Sequence, residues 1–497
     1  MKKITKFLTL VFMAFICLLS SCSSSSSYKT LDDIKEKGTL IVATNAEFAP
    51  FEYQDGKEFK GIDMDIIREY GKHINVKVNI KNMDFDASLL SVSTYKADVA
   101  IAAITKNAKR EETLSFSDPY YTANQVIIVK ENSIYSEITE ESEILNLLST
   151  NKAKIGCQRG TTGQYYIEGS ADWDFKGISN TTCVTYDNGA LAVTDLTKGN
   201  LDAVIIDEAP AMLYCNKFET VKMLNIVLTE EEYCIAVSKG NDSLITSLNE
   251  FIASIKANNT LDEIISKYYG NDNISEKEGN NFIESVGKVA KGLGVTFIIA
   301  IVAFVFGILI GLLVNIIQSS SSNSIITKIL KKLVTIYIAI FRGTPITVQL
   351  LIIYYVIFSN IVPMFAAVIA FALNSGAYVS EIIRGGINAV PKGQMEAGRS
   401  LGLPYNVVMK KIVLPQAIRN CLPSLGNEFI ALIKETSVVS FITVMDLYSA
   451  FRAIATESFA YKSVYLIMGV LYFVIIFVVS FILKKIEGGL LKNDKTK

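Results

Sequence analysis

Few residues in this chain are grouped so that they could make or break a covalent bond. The only histidine, His73, has no second imidazole to join, and no CxxC or His cluster offers metal-ligand spacing, so neither a metal nor a cofactor is expected. No GxxxxGK[ST] phosphate loop occurs, so hydrolysis of ATP by this chain is not expected. What recurs at fixed intervals is instead a docking pattern: Glu396-Ala397-Gly398, three residues, Gly402, nine residues, Ile412, one residue, Leu414-Pro415. Pro391 can open a short helix, Gly402 can close it in a left-handed cap, and Pro404 can start a second helix that Pro415 ends. A polar helix-turn-helix between apolar runs points to a partner at a membrane face.

The rest of the sequence must hold that segment in place. At 497 residues, half of them hydrophobic, the chain exceeds one domain of about 100 to 200 residues. A net charge of -1 gives no reason to expect nucleic acid or a strongly acidic substrate. Residues 1–22 read as a signal sequence, with Lys2, Lys3 and Lys6 leading into the apolar run Phe7 to Leu19, and the serine-rich stretch 23–30 suits a tether. The domain after this tether is therefore expected to be exported. Cys157, Cys183, Cys215 and Cys234 lie in that exported part, where disulfides are permitted; the sequence does not pair them.

From residue 31 to 270 short β-rich runs alternate with helical ones: Leu40 to Thr44, Asp63 to His73, Val76 to Ile80, Asp98 to Ala103, Gln125 to Lys130. A second such set (Lys154 to Cys157, Cys183 to Tyr186, Ala203 to Ile206) precedes a return through Cys234 to Val237, which predicts two lobes. Lobe one is expected at about 31–121 and 235–270, lobe two at about 125–230, and a polar linker at 271–284.

A membrane domain is expected over 285–490. Gly292 to Gln318 is charge-free, and 27 residues at about 1.5 Å each exceed the roughly 30 Å of a bilayer core. Further spans are expected at Leu333 to Phe358, interrupted by Arg342-Gly343-Thr344-Pro345, at Ile361 to Arg384, within Leu425 to Met445, and at Ser463 to Leu483. Five crossings from an exported start put residues 384–419 inside. Charge agrees: Lys328, Lys331, Lys332 and the basic C-terminal tail share that side, while the outer turns carry only Arg452 and Lys462. Arg342, Glu381, Lys434 and Glu435 lie in or beside spans; Glu381 and Glu435 are candidate pathway residues.

The spacing at 396–415 resembles the EAA loop of ABC importer permeases, with Gly398 where that family usually has Ala. The resemblance implies that Glu396, Ala397, Gly398, Gly402, Ile412, Leu414 and Pro415 dock on an ATPase subunit. Arg342-Gly343-Thr344-Pro345 and Gln349 resemble the polar amino-acid branch of these permeases. Gly61-Ile62-Asp63-Met64-Asp65-Ile66, with Phe48-Ala49-Pro50-Phe51-Glu52-Tyr53, Phe116-Ser117-Asp118-Pro119-Tyr120-Tyr121 and Arg159-Gly160-Thr161-Thr162, resembles the amino-acid-binding members of the family 3 solute-binding proteins. Leu19-Ser20-Ser21-Cys22 resembles a lipobox, which implies a lipidated Cys22.

Together these resemblances imply an α/β two-lobed periplasmic-binding-protein fold of type II, followed by an all-α five-helix permease domain in a bacterial plasma membrane. They also imply hinges near Tyr121 to Gln125 and Glu231 to Cys234. A free amino acid is a zwitterion, and the resemblance puts Arg110 on its carboxylate, with Thr105 and Thr162 as donors, and Asp207 on its ammonium. Ala103 is implied as a backbone contact, Phe48 and Phe85 as an aromatic sandwich, and Asn45 and Gln158 as readers of the ligand side chain. A neutral amide at Asn45 favours glutamine or another neutral polar amino acid over lysine or arginine, although Glu47 stands nearby. Two copies of the chain with two of an ATPase are expected, because five spans make half a pore. The alternatives are a ligand-gated channel or sensor with the same ectodomain, which would insert its pore between the lobes, and a periplasmic enzyme on the same fold.

Overall fold

The computed structural model describes residues 28–55, 58–269, 281–320, 322–358, 361–458 and 460–492. The expected signal sequence, Cys22, the tether up to residue 27 and the linker up to residue 280 lie outside them. The chain divides into two compact units, one built on Ser25–Val286 and one on Gly287–Phe451 with the C-terminal helix.

The described residues of the first unit form twelve strands: β1 (Thr39–Thr44), β2 (Glu47–Phe48), β3 (Glu52–Asp55), β4 (Glu58–Lys60), β5 (Lys77–Asn82), β6 (Val99–Thr105), β7 (Leu114–Phe116), β8 (Tyr121–Lys130), β9 (Lys154–Gln158), β10 (Thr182–Tyr186), β11 (Ala203–Asp207) and β12 (Val221–Ser238). The larger sheet runs β10-β9-β11-β8-β12-β6-β1-β5, with β7 on β12, while β2-β3-β4 forms a small antiparallel sheet. β1 is parallel to β5 and β6, and β9 to β10 and β11. Parallel neighbours need crossover connections, here helices such as Ile62–His73, Phe85–Ser93, Thr162–Glu168 and Gly189–Thr197. Helices on both faces explain why β11 reads as an unbroken apolar run ending in Asp207: all five of its residues are buried.

Each half has its own core. Ala43, Val92, Ala100, Ile104 and Ala236 pack in one; Ile127, Ile144, Leu148, Ile155 and Ile205 pack in the other. β8 and β12 belong to both halves. They pair antiparallel from Val221↔Lys130 to Tyr233↔Tyr121, and β12 then runs on against β6 from Tyr233↔Thr105 to Val237↔Val99. The two expected crossing segments are thus neighbours in one ribbon, Thr122 opposite Glu232. Gly61 leads into helix Ile62–His73 at φ 124°, and a Cβ there would sit 2.1 Å from the Phe51 carbonyl oxygen, so only glycine fits the turn.

Among the described residues of the second unit, three unbroken helices are long and apolar enough to cross a membrane, within Asn281–Gln318, Pro363–Asn388 and Tyr461–Lys492. The other two expected spans are bent pairs: Ile325–Gly343 with Ile346–Ile357 at 114°, and Tyr405–Ile442 with Leu447–Thr456 at 57°. The first break falls at Thr344-Pro345, where a ring without an N–H cannot continue the ladder. Gln349 Nε2 meets the carbonyls freed there, Phe341 O and Thr344 O, at 2.9 Å each.

Gly307 and Gly311 let helix Asn281–Gln318 approach helix Pro363–Asn388 closely. A Cβ on them would stand 2.9 Å from Ser375 Oγ and 2.6 Å from Val379 Cγ1, and one turn on Asn315 Nδ2 donates to Ser380 O at 2.8 Å. Glu381 is paired, with Arg384 at 2.5 Å and Arg342 at 3.4 Å.

One local expectation is corrected. Pro415 does not end the second helix of the 396–415 segment; the chain stays helical from Tyr405 to Glu435. Residues Met409–Val413 form a widened π-helical turn, and Pro415 follows it in the first turn of Leu414–Glu435. The wider turn displaces the hydrogen-bond ladder just where a proline would otherwise clash with it.

Candidate functional site

The residues singled out in the exported part converge on one cavity, because most of them sit at the carboxyl ends of parallel strands, where an open α/β sheet leaves a crevice. Asn45 follows β1, Thr105 ends β6, Gln158 ends β9 and Asp207 ends β11. All four line the cavity, with Phe48, Phe85, Ala103, Arg110 and Thr162. Every predicted ligand contact is therefore in one place. Glu52, Ala102, Thr161 and Glu231 line it too.

The lobes are closed over this cavity. Arg110 Nη2 donates across it to Gly160 O at 2.9 Å, Gln158 Nε2 to Asn45 Oδ1 at 3.3 Å, and Asn188 Nδ2 to Glu47 Oε2 at 2.8 Å. Arg110 is held on the short helix Ala108–Glu111, whose N-cap, Asn107, accepts from its N–H at 2.7 Å. Its Nη1 donates to Thr105 O, and the guanidinium carbon lies 5.2 Å from the Phe85 ring centroid and 5.8 Å from that of Trp173. Anchored backbone contacts and two aromatic faces hold the guanidinium in place.

Two predicted donors are otherwise engaged. Thr105 Oγ1, from lobe one, and Thr162 Oγ1, from lobe two, both donate to Glu231 Oε2, at 2.5 and 2.7 Å. Asp207 accepts from the Tyr233 hydroxyl. Burial pushes the Asp207 carboxyl up to about 6, and burial followed by the Asp207 charge pushes Glu231 up to about 8. The sequence reading missed Glu231. It stands in the run Glu230-Glu231-Glu232, and only strand alternation counted back from buried Tyr233 separates the buried Glu231 from its exposed neighbours.

Ala103 has an unusual backbone, φ 47°, where the β6–β12 register shifts. Its N–H donates to Asp63 Oδ2 at 2.8 Å. Asp63 Oδ1 accepts from Tyr120 at 2.8 Å, and Glu52 lies beside it. Both acids are buried: burial pushes Asp63 up to about 7, and burial with the Asp63 charge raises Glu52 well above its ordinary range. Glu52 thus holds its proton against Asp63. The Gly61-Ile62-Asp63 motif acts here by fixing the left-handed residue at the cavity wall.

At the other end, Phe48 and Phe85 are buried, and Asn45 Nδ2 donates to Met83 O at 3.0 Å. Gln158 Oε1 is buried without a hydrogen-bond partner. Glu47 does not line the cavity.

In the second unit the 396–415 segment joins the short helix Lys392–Ser400 to the long helical run that starts at Tyr405, through a turn at Gly402, φ 80°, whose N–H donates to Arg399 O at 3.0 Å. Gly398 is buried against Val408: a Cβ there would lie 2.7 and 2.8 Å from its two methyls, so this pair has no room for the alanine usual in the pattern. Ile412 packs inward with Val408 and Val413, while Glu396, Ala397, Gly402, Leu414 and Pro415 face outward. Leu401 and Tyr405 flank the turn at 80% and 53% exposure, an apolar surface suited to a partner.

Known proteins match both halves. Residues 40–271 match the model of the bacterial extracellular solute-binding proteins, family 3, and residues 307–492 that of the binding-protein-dependent transport system inner membrane component. A putative glutamine transport system permease protein of Rickettsia conorii is 39% identical over 216 residues, 43% of this chain and 97% of that one. An arginine transport system permease protein of Bacillus subtilis is 36% identical over 216 residues, 43% and 96%. An L-cystine transport system permease protein of the same organism is 36% identical over 203 residues, 40% and 85%.

Proposed function

From the premise that this chain belongs to the family 3 solute-binding proteins in its exported half and to the inner-membrane permeases of binding-protein-dependent transport in the other, we propose that it imports glutamine or a closely related neutral polar amino acid. The coarser activity follows from the premise. The chain is the binding and membrane component of an ATP-driven amino-acid importer, not an enzyme, with its receptor outside the inner membrane and a separate ATPase as partner.

The observation that carries the cargo is the uncharged end of the cavity. Arg110 and Asp207 supply opposite charges for the carboxylate and ammonium, while Asn45 and Gln158 meet the side chain with amides alone. The free Gln158 Oε1 accepts an N–H from a carboxamide, and Glu47 stands outside the cavity lining, turned to Asn188. In this reading Ala103 offers its carbonyl, and Phe48 and Phe85 flank the ligand's methylenes. Cys22 carries lipid after cleavage. Two copies of the chain, each with its 396–415 segment on one of two ATPase subunits, form the working pore.

A calorimetric screen of the twenty amino acids against the full-length protein in lipid nanodiscs, without nucleotide, tests this. Glutamine is expected to bind best, and Arg110→Ala or Asp207→Ala to weaken it about a hundredfold. Tighter binding of arginine overturns the cargo, and undiminished binding by both variants overturns the site.

A further inference from the structure

One cavity-lining group has no role in the binding scheme above. Glu231 sits on β12 where that strand crosses between the lobes, and 5% of it is exposed. Its two oxygens differ. Oε2 accepts hydroxyls from Thr105 of one lobe and Thr162 of the other, a pair of bonds that exists only while the lobes are shut. Oε1 is buried and accepts nothing, although the side chain lines the cavity with Asp207. With no donor to accept from, Oε1 is the oxygen on which the buried carboxyl can carry a proton in the empty site. A cationic donor with several N–H groups can take that proton's place.

We propose that Glu231 is a second acceptor for the ammonium of a bound amino acid, shared with Asp207, and that the same side chain latches the two lobes through Thr105 and Thr162. The inference rests on the amino-acid reading of the site. The charged and titratable groups facing Glu231 are Asp207, from the end of β11, Arg110, from the helix after β6, and Tyr233 on its own strand; the Gln125 amide on β8 stands beside both acids. Two carboxyls so buried and so strongly coupled do not both ionise in the empty site, so one proton stays with the pair, and Oε1 of Glu231, which accepts from no donor, is the oxygen placed to carry it. An entering ammonium supplies the positive charge that the proton supplied. The proton then leaves to solvent, Glu231 ionises, and its Oε2 becomes a stronger acceptor for the two hydroxyls that shut the lobes.

Titration of full-length protein in nanodiscs with L-glutamine at pH 7, in two buffers of different ionisation enthalpy, counts that proton. Wild type is expected to release close to one proton per ligand, and its affinity to rise with pH up to about 8. Glu231→Gln keeps an acceptor for Thr105 and Thr162 but has no charge to give up. It is expected to release none and to bind about tenfold or more weakly. Thr162→Val removes half of the latch and leaves the acceptor, so it is expected to weaken binding with the proton count unchanged. Proton release undiminished in Glu231→Gln, or lost in Thr162→Val, overturns the proposal; if Glu231→Gln does not fold, the Thr162→Val count decides it. Wild type that binds no amino acid overturns the functional reading itself, a result distinct from normal wild-type binding with an unaltered variant.

Discussion

Replacing Glu52 by glutamine is expected to make the exported unit more stable at neutral and higher pH and to flatten its pH dependence. Glu52 is 1% exposed and faces the Asp63 carboxylate, and burial first and that charge second raise its pKa well above the ordinary 4.5. The folded protein therefore keeps a proton that the unfolded chain releases. A group whose folded pKa is raised contributes most below its unfolded pKa, and the contribution is lost as pH climbs toward the folded value. One retained proton corresponds to about 1.4 kcal/mol for each pH unit that separates the unfolded and folded pKa values, and Glu52 removes stability at that rate as pH rises between them. For a unit of this size that is a fall of roughly 3–6 °C in Tm per pH unit. Glutamine keeps a donor for Asp63 without titrating. The chain's only tryptophan, Trp173, lies in this unit, so fluorescence melts of the full-length protein report on it selectively. As pH rises above the unfolded pKa, wild type is expected to lose roughly 3–6 °C more per pH unit than Glu52→Gln. Parallel Tm curves for the two proteins refute the reasoning, because Glu52 would then ionise in the fold as freely as in the unfolded chain.

Gly402→Val places a β-branched residue at φ 80° on an exposed turn, a strain of about 1–2 kcal/mol; it is expected to leave amino-acid binding intact while amino acid no longer stimulates ATP hydrolysis by the reconstituted transporter. Gly61→Ala brings a methyl against the Phe51 carbonyl and shifts the start of the helix that carries Asp63; folded, ligand-competent protein is expected to fall sharply, as measured by the yield of monodisperse protein and its calorimetric stoichiometry.

Much of this arrangement was legible in the sequence where a local rule and a global requirement agree. The alternating runs marked the strands of both lobes, and the residues at their carboxyl ends, Asn45, Thr105, Gln158 and Asp207, share one cavity because a parallel sheet sends those ends to the same side. What could not be read depends on partners distant in sequence. Thr105 and Thr162 looked like donors to a ligand, yet their hydroxyls meet Glu231, which lies 126 and 69 residues away. Ala103 gives no hint of a left-handed backbone, because that conformation is held by Asp63, 40 residues upstream. Pro415 followed the ordinary rule for proline and was misread, since the π-helical turn that accommodates it has no sequence signature. The 114° break at Thr344-Pro345 falls at the interruption the sequence marked, but its size depends on the side chain of Gln349 capping the broken end.

The pairing of β8 with β12 limits how this receptor can open. A hinge made of two separate strands could let the lobes drift, slide or splay independently. Here the crossing strands are hydrogen-bonded to each other through Tyr121↔Tyr233, Thr122↔Glu232 and Ala123↔Glu231, so they behave as the two leaves of one spring. A bonded ribbon resists shear and stretching and yields to bending and twist. The latch residue is part of that ribbon, so the element that flexes when the lobes part is also the one that senses whether the cavity is filled.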